Sequence, residues 1–164
     1  MSDDRVVERV HAVYVASHAR LWRAVLAFSG SADVADDAVA EAFAQVLRRG
    51  AAVLDVEAWV WRSAFAIARG ELARRSRDRD SAGDERVERA DDEAGSMPEP
   101  AIDLVRALQA LPPADRELLV LCHAGGWTPT EIAAITGQPA STVRVRLHRA
   151  NRRARRLLSE EDTA

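Results

Sequence analysis

Apolar residues mark the first 77 positions as three helical stripes. Val6, Val10, Val13, Leu21, Val25 and Phe28 recur at mostly helical spacing, and the run SGSAD then breaks the pattern. Ser31 or Asp33 can cap a second helix whose stripe is Val34, Ala38, Val39, Ala42, Phe43, Val46 and Leu47, with Gly50 as its stop. A short apolar loop leads to Asp55, which opens a third helix through about Arg77 with Trp59, Val60, Ala64, Ile67, Ala68 and Leu72 turned inward. Three helices of this length with short connections can share one core. Trp59 is the core member of its pair; Trp61, two residues on, points elsewhere, toward a base or a partner.

From 78 to 100 large apolar residues almost vanish, and the segment reads as a flexible acidic linker. A second helical unit occupies 101–164. Ile102, Leu104, Val105, Leu108 and Leu111 begin it, Pro112 and Pro113 start the next helix, and Leu118, Leu119, Val120 and Leu121 supply its core. The expectation is an all-α chain of two small domains, a three-helix bundle over 1–77 and a four-helix domain over 101–164.

The stretch TPTEIAAITGQPASTVRVRLHRANRRARR reads as a helix-turn-helix. Thr128 and Glu131 have the spacing of a capping box, and Ile132, Ala133 and Ile135 give the first helix an apolar side. Gly137 suits the left-handed residue that ends a helix, and Pro139 suits the turn. Ser141 or Thr142 can cap the second helix. There Val143, Leu147 and Ala150 form the buried stripe, which leaves Arg144, Val145, His148, Arg149 and Arg152 on the side that such a motif presents to a DNA major groove. Arginines in a last helical turn also serve the helix dipole and solubility, but that accounts for only those near the end.

Net charge is −3 over 164 residues, which alone argues against a nucleic-acid binder. Resolved along the chain, the charges are segregated. Residues 141–158 hold seven Arg and no acid, whereas 78–103 hold ten acids against three Arg. The acidic stretch is a solvated spacer or a mask for the basic helix. Cys122 is the single cysteine, which excludes an intrachain disulfide and fits a reducing cytoplasm; its apolar neighbours make it core filler. The four histidines show no metal spacing, there is no Gly-rich phosphate loop, and no run is long or apolar enough for a membrane span or secretory signal. No catalytic residue, metal or cofactor is expected, and the chain does not read as an enzyme.

These residues carry a resemblance. Leu108 with Leu111-Pro112, Arg116, Glu131-Ile132-Ala133, Gly137, Thr142-Val143-Arg144 and Arg146 through Ala150 resemble region 4 of a bacterial sigma factor of the extracytoplasmic-function (ECF) class. Asp36-Asp37-Ala38-Val39 with Glu41 and Phe43, and Trp59 with Trp61-Arg62 and Glu71-Leu72, resemble region 2. The resemblance covers about 8–77 and 101–158. It implies a cytoplasmic initiation subunit that binds core RNA polymerase and promoter DNA, does not insert into a membrane, and has an anti-sigma partner. It places Thr142, Arg144, Val145, Arg146, His148, Arg149 and Arg152 at the −35 element, with Val145 able to meet a thymine methyl. Asp36, Asp37 and Glu41 fall where such proteins hold the polymerase clamp.

The region 2 likeness departs from the family at Ala40, Ser63, Phe65-Ala66 and the loop GAAVLD, which brings neither an aromatic nor a basic group. Capture of the −10 strand then falls to Trp61, Arg62, Phe65 and Arg69. Two alternatives stay open: a sigma-like regulator that reads DNA without melting it, and a module for an anti-sigma or other partner that binds through Val53, Leu54 and Val56.

Overall fold

The computed structural model describes residues 3–82 and 99–161, with Thr163. Among them are seven α-helices, one 3-10 turn and no strand: α1 (Asp3–Ser29), α2 (Ala32–Arg49), the turn Gly50–Ala52, α3 (Val56–Ala82), α4 (Glu99–Gln109), α5 (Pro113–His123), α6 (Pro129–Thr136) and α7 (Ala140–Glu161).

The bundle α1–α3 forms where the stripes predict it. Leu21, Val25 and Phe28 from α1, Val39 and Val46 from α2, and Val60 and Ala64 from α3 are fully buried or nearly so. Gly30, at φ +70°, turns the chain between α1 and α2. Ser31 rather than Asp33 is the cap, its Oγ accepting from the Val34 amide at 3.3 Å. Gly50 closes α2 at φ 61°. Asp55 caps α3, its Oδ1 accepting from the Ala58 amide at 3.0 Å.

α3 runs to Ala82, five residues past the expected end at Arg77. Arg74 bridges Glu71 and Asp78 one turn to either side, and such i,i+3 and i,i+4 pairs extend an exposed helix without a core. Residues 78–82 are therefore helix rather than linker, as are 99 and 100 at the start of α4, and the rest of the expected linker, 83–98, lies outside the described residues.

The two units do not stand apart. α4 and α5 lie against α1, α6 lies against α3, and one continuous apolar cluster runs from Val6 to Ala150. This packing overturns the expectation for Trp61, while Trp59 keeps a partly buried place against the core. Trp61 is completely buried, against Phe65 and Trp127, while Trp59 is half-buried with the Arg49 guanidinium over its ring. Helical spacing fixes which way Trp61 points; it does not reveal that the second unit covers that side.

Candidate nucleic-acid interface

The helix-turn-helix is assembled by local chemistry. Thr128 Oγ1 accepts from the Glu131 amide at 3.3 Å, and Glu131 Oε2 accepts from the Thr128 amide at 2.7 Å, a complete capping box. Those bonds hold the Glu131 carboxyl below its ordinary pKa. Gly137 ends α6 in the left-handed conformation, φ 71°. α7 starts at Ala140, two residues earlier than a Ser141 cap requires, because the Pro139 carbonyl already accepts the Val143 amide at 3.0 Å. Ser141 and Thr142 thus lie exposed in the first turn.

Val143, Leu147 and Ala150 are buried as the stripe requires, and Arg144, Val145, His148, Arg149 and Arg152 are all exposed on the opposite side. Arg146 is different. It is half-buried, donates to Gln138 Oε1 at 2.8 Å, and lies close enough to the buried Glu117 carboxylate to favour its charged form. Its place is beside the stripe, three residues from Val143, so its guanidinium braces the turn instead of facing outward. Arg153 is also drawn inward, to a salt bridge with the mostly buried Asp115. The exposed face left by these two is a compact strip of guanidinium, imidazole and one valine, suited to base edges and phosphates.

The four residues of α3 meet different surroundings. Trp61 and Phe65 are fully buried, their rings 6.1 Å apart and stacked. Arg62 donates to the Ala134 carbonyl on α6 at 3.1 Å. Arg69 pairs with Glu117 on α5. In this arrangement neither Trp61 nor Phe65 can reach a nucleic acid, because Trp127 and Phe28 close over them. Burial raises the Glu117 carboxyl pKa, and the positive charges of Arg69 and Arg146 offset only part of that.

Asp36, Asp37 and Glu41 are exposed on α2. Asp36 accepts from Trp22 Nε1 at 2.7 Å, and Glu41 is held below its ordinary pKa by Gln45 and Arg48. The neighbouring loop is fixed by a residue its own sequence does not flag: Arg9 on α1 donates to the Val53 and Leu54 carbonyls at 2.9 and 2.6 Å. Val53 and Val56 are buried and only Leu54 is exposed, so the loop offers one apolar side chain rather than a three-residue patch.

The junction residues Gln109, Arg116 and Trp127 were likewise not evident as a group. Arg116 donates to the Phe28 carbonyl at 2.8 Å and lies over the Phe28 ring, and Gln109 donates to the Ala27 and Phe28 carbonyls, both at 3.3 Å. The one available signal was Asp115-Arg116-Glu117 opening an apolar run: all three are buried. Among the described residues no group of His, Cys, Asp and Glu could hold a metal ion, and no helix is long and apolar enough to cross a membrane.

Residues 101–153 match the family model for sigma-70 region 4. The chain is 31% identical over 159 residues to the ECF RNA polymerase sigma factor SigE of Mycolicibacterium smegmatis, covering 91% of this chain and 62% of that relative. It thus spans about 62% of that protein's length. Its fold is similar to that of the sigma factor RpoE solved in complex with the anti-sigma factor NepR from Bartonella quintana. That TM-score is 0.72 at 20% identity, covering 91% of this chain and 96% of the other; this likeness speaks to fold alone.

Proposed function

We propose that the chain is an ECF sigma factor that binds core RNA polymerase and directs promoter-specific initiation, as a non-catalytic subunit; the region 4 match and the 31%-identical relative support this reading. The exposed strip of α7 carries this reading. Thr142, Arg144, Val145, His148, Arg149 and Arg152 read or grip the −35 element: the forked guanidinium of Arg144 or Arg149 suits guanine, and Val145 suits a thymine methyl. Arg146 supports them by holding the turn through Gln138. Asp36, Asp37 and Glu41 form the acidic face for the polymerase clamp. Trp61, Arg62, Phe65 and Arg69 take the −10 strand once α3 is uncovered; flipping a base from the stack costs about a few kcal/mol, met by binding and not by covalent chemistry. An anti-sigma protein is the expected antagonist, by likeness to the neighbour solved with one.

The burial of Trp61 and Phe65 favours one second reading, a regulator that grips −35 DNA without opening the duplex. Transcription with purified chain and core RNA polymerase on the upstream DNA of its own gene, with permanganate probing, separates the two. The expected result is a promoter-dependent transcript with reactive thymines near −10. Binding to −35 DNA with no reactive thymines would sink the initiation reading.

A further inference from the structure

We infer that Trp22 is a positioning residue for polymerase binding: its indole N–H sets the Asp36 carboxylate in the orientation that meets a cationic side chain of the polymerase. The inference deepens the clamp assignment made above and rests on it; the bond between Trp22 and Asp36 is a contact of this chain alone.

The three acids of α2 stand in different states. Glu41 is engaged within its own helix, by Arg48 at 2.6 Å and Gln45 at 3.0 Å, so an incoming cation must displace Arg48. Asp37 is exposed and has neither a hydrogen bond nor an ion pair among the described residues, so its rotamers are open. Asp36 is exposed yet held from another helix, its Oδ1 accepting from Trp22 Nε1 at 2.7 Å across the α1–α2 turn. An indole carries no charge, so this bond orients the carboxylate without neutralising it. Oδ2 has no partner among the described residues and can accept from a guanidinium or ammonium group.

Trp22 can hold the acid because it is itself held. Its ring is half-buried against the core, and it shares a face of α1 with Tyr14 and His18, each four residues from the next. The Tyr14 and His18 ring centroids are 4.5 Å apart, and they lie 5.1 and 6.2 Å from that of Phe43 on α2. Phe43 is seven residues, two turns, from Asp36 on the same side of α2. The row of rings thus ties α1 to α2 along the seam that presents the acid. A partner meeting a carboxylate already oriented has no ordering cost to overcome there, and that saving is worth a few-fold in affinity.

The test is a double-mutant cycle on the full chain, read as equilibrium binding to core RNA polymerase at fixed salt. Asp36→Ala should weaken binding by about ten-fold, and Trp22→Phe, which keeps a ring and loses the N–H, by about three-fold, the effect of ordering one side chain. The double variant should bind no more weakly than Asp36→Ala alone, because a positioning residue has nothing to act on once the carboxylate is gone. Single effects that multiply in the double variant would overturn the inference, since the indole would then act apart from Asp36. The Trp22 indole N–H resonance, identified by its loss in Trp22→Phe, should shift in Asp36→Ala; an unmoved resonance would mean that the bond is not made in solution. If Trp22→Phe does not melt cooperatively, benzothienylalanine in place of Trp22 keeps the fused-ring shape without the N–H, and the same outcomes apply. A Trp22→Phe variant that binds like the parent, beside a weakened Asp36→Ala, removes the positioning role alone. An Asp36→Ala variant that binds like the parent removes the clamp assignment, and the positioning role with it.

Discussion

On α7 all but Arg146 of the residues singled out for nucleic acid stand in solvent; on α3 the two aromatic ones, Trp61 and Phe65, are covered. The difference comes from how many sides of each helix are covered. α7 packs on one side, through Val143, Leu147 and Ala150, so its opposite side is free by default. α3 is packed on two, by α1 and α2 on one flank and by α6 on another, and its first four turns are apolar nearly all round. A stripe therefore reports the exposed face of a helix packed on one side and misreports that of a helix packed on two.

Substitutions can break this contrast, and the largest effect belongs to α3. Trp61→Ala should destabilise the chain by about 3–5 kcal/mol, because it empties a fully buried site shared by both units. Urea unfolding followed by circular dichroism measures it; a loss below about 1 kcal/mol would mean that Trp61 is not core.

Arg152 and Arg153 bring the same contrast within one helix. Arg153→Ala leaves the Asp115 carboxylate, 12% exposed, without its cation, and should cost about 1–3 kcal/mol of stability after discounting for a half-exposed arginine. Arg152→Ala should cost almost none and should weaken DNA binding instead. Equal melting temperatures for the two variants would contradict the inward placement of Arg153.

Arg149→Ala should leave unfolding unchanged and cut −35 affinity about ten-fold, at the low end of the roughly 1–3 kcal/mol of a bidentate base contact. Fluorescence anisotropy at fixed salt is the check, and an unaltered sequence preference would move readout to another residue.

The smallest effect is one of pH. Arg74 and Arg75 hold Glu71 at about 2. A carboxyl depressed on folding contributes stability that is complete above its ordinary, unfolded value of 4.5 and is lost as pH falls toward about 2. Acid titration of wild type should therefore show a small stability loss in that window that Glu71→Gln lacks; parallel titrations would show that the pair contributes nothing.

Much of the helix-turn-helix was legible because its determinants are local. Thr128 and Glu131 are three residues apart, Gly137 does what few residues but glycine do readily, and the stripe on α7 has a single packed side to satisfy. The bundle was legible for the same reason. The inward turn of Arg146 was open to inference from its place three residues after Val143, although an arginine in an arginine-rich run reads first as surface. The junction was barely legible, its one signal being the charged triplet Asp115-Arg116-Glu117 at the head of an apolar run. Arg116 reaches the Phe28 carbonyl across 88 positions of sequence, and nothing in the spacing of either segment names its partner.

The buried Trp61 ring and the half-buried Trp127 ring give the molecule an optical gauge of its own state. A tryptophan ring shut away from water emits at shorter wavelength than one facing it, and Trp61 with Trp127 sits at the seam between the units. Separating the two units should redden the intrinsic emission, so the loss of their contact can be followed in unlabelled protein, in real time, as urea is added.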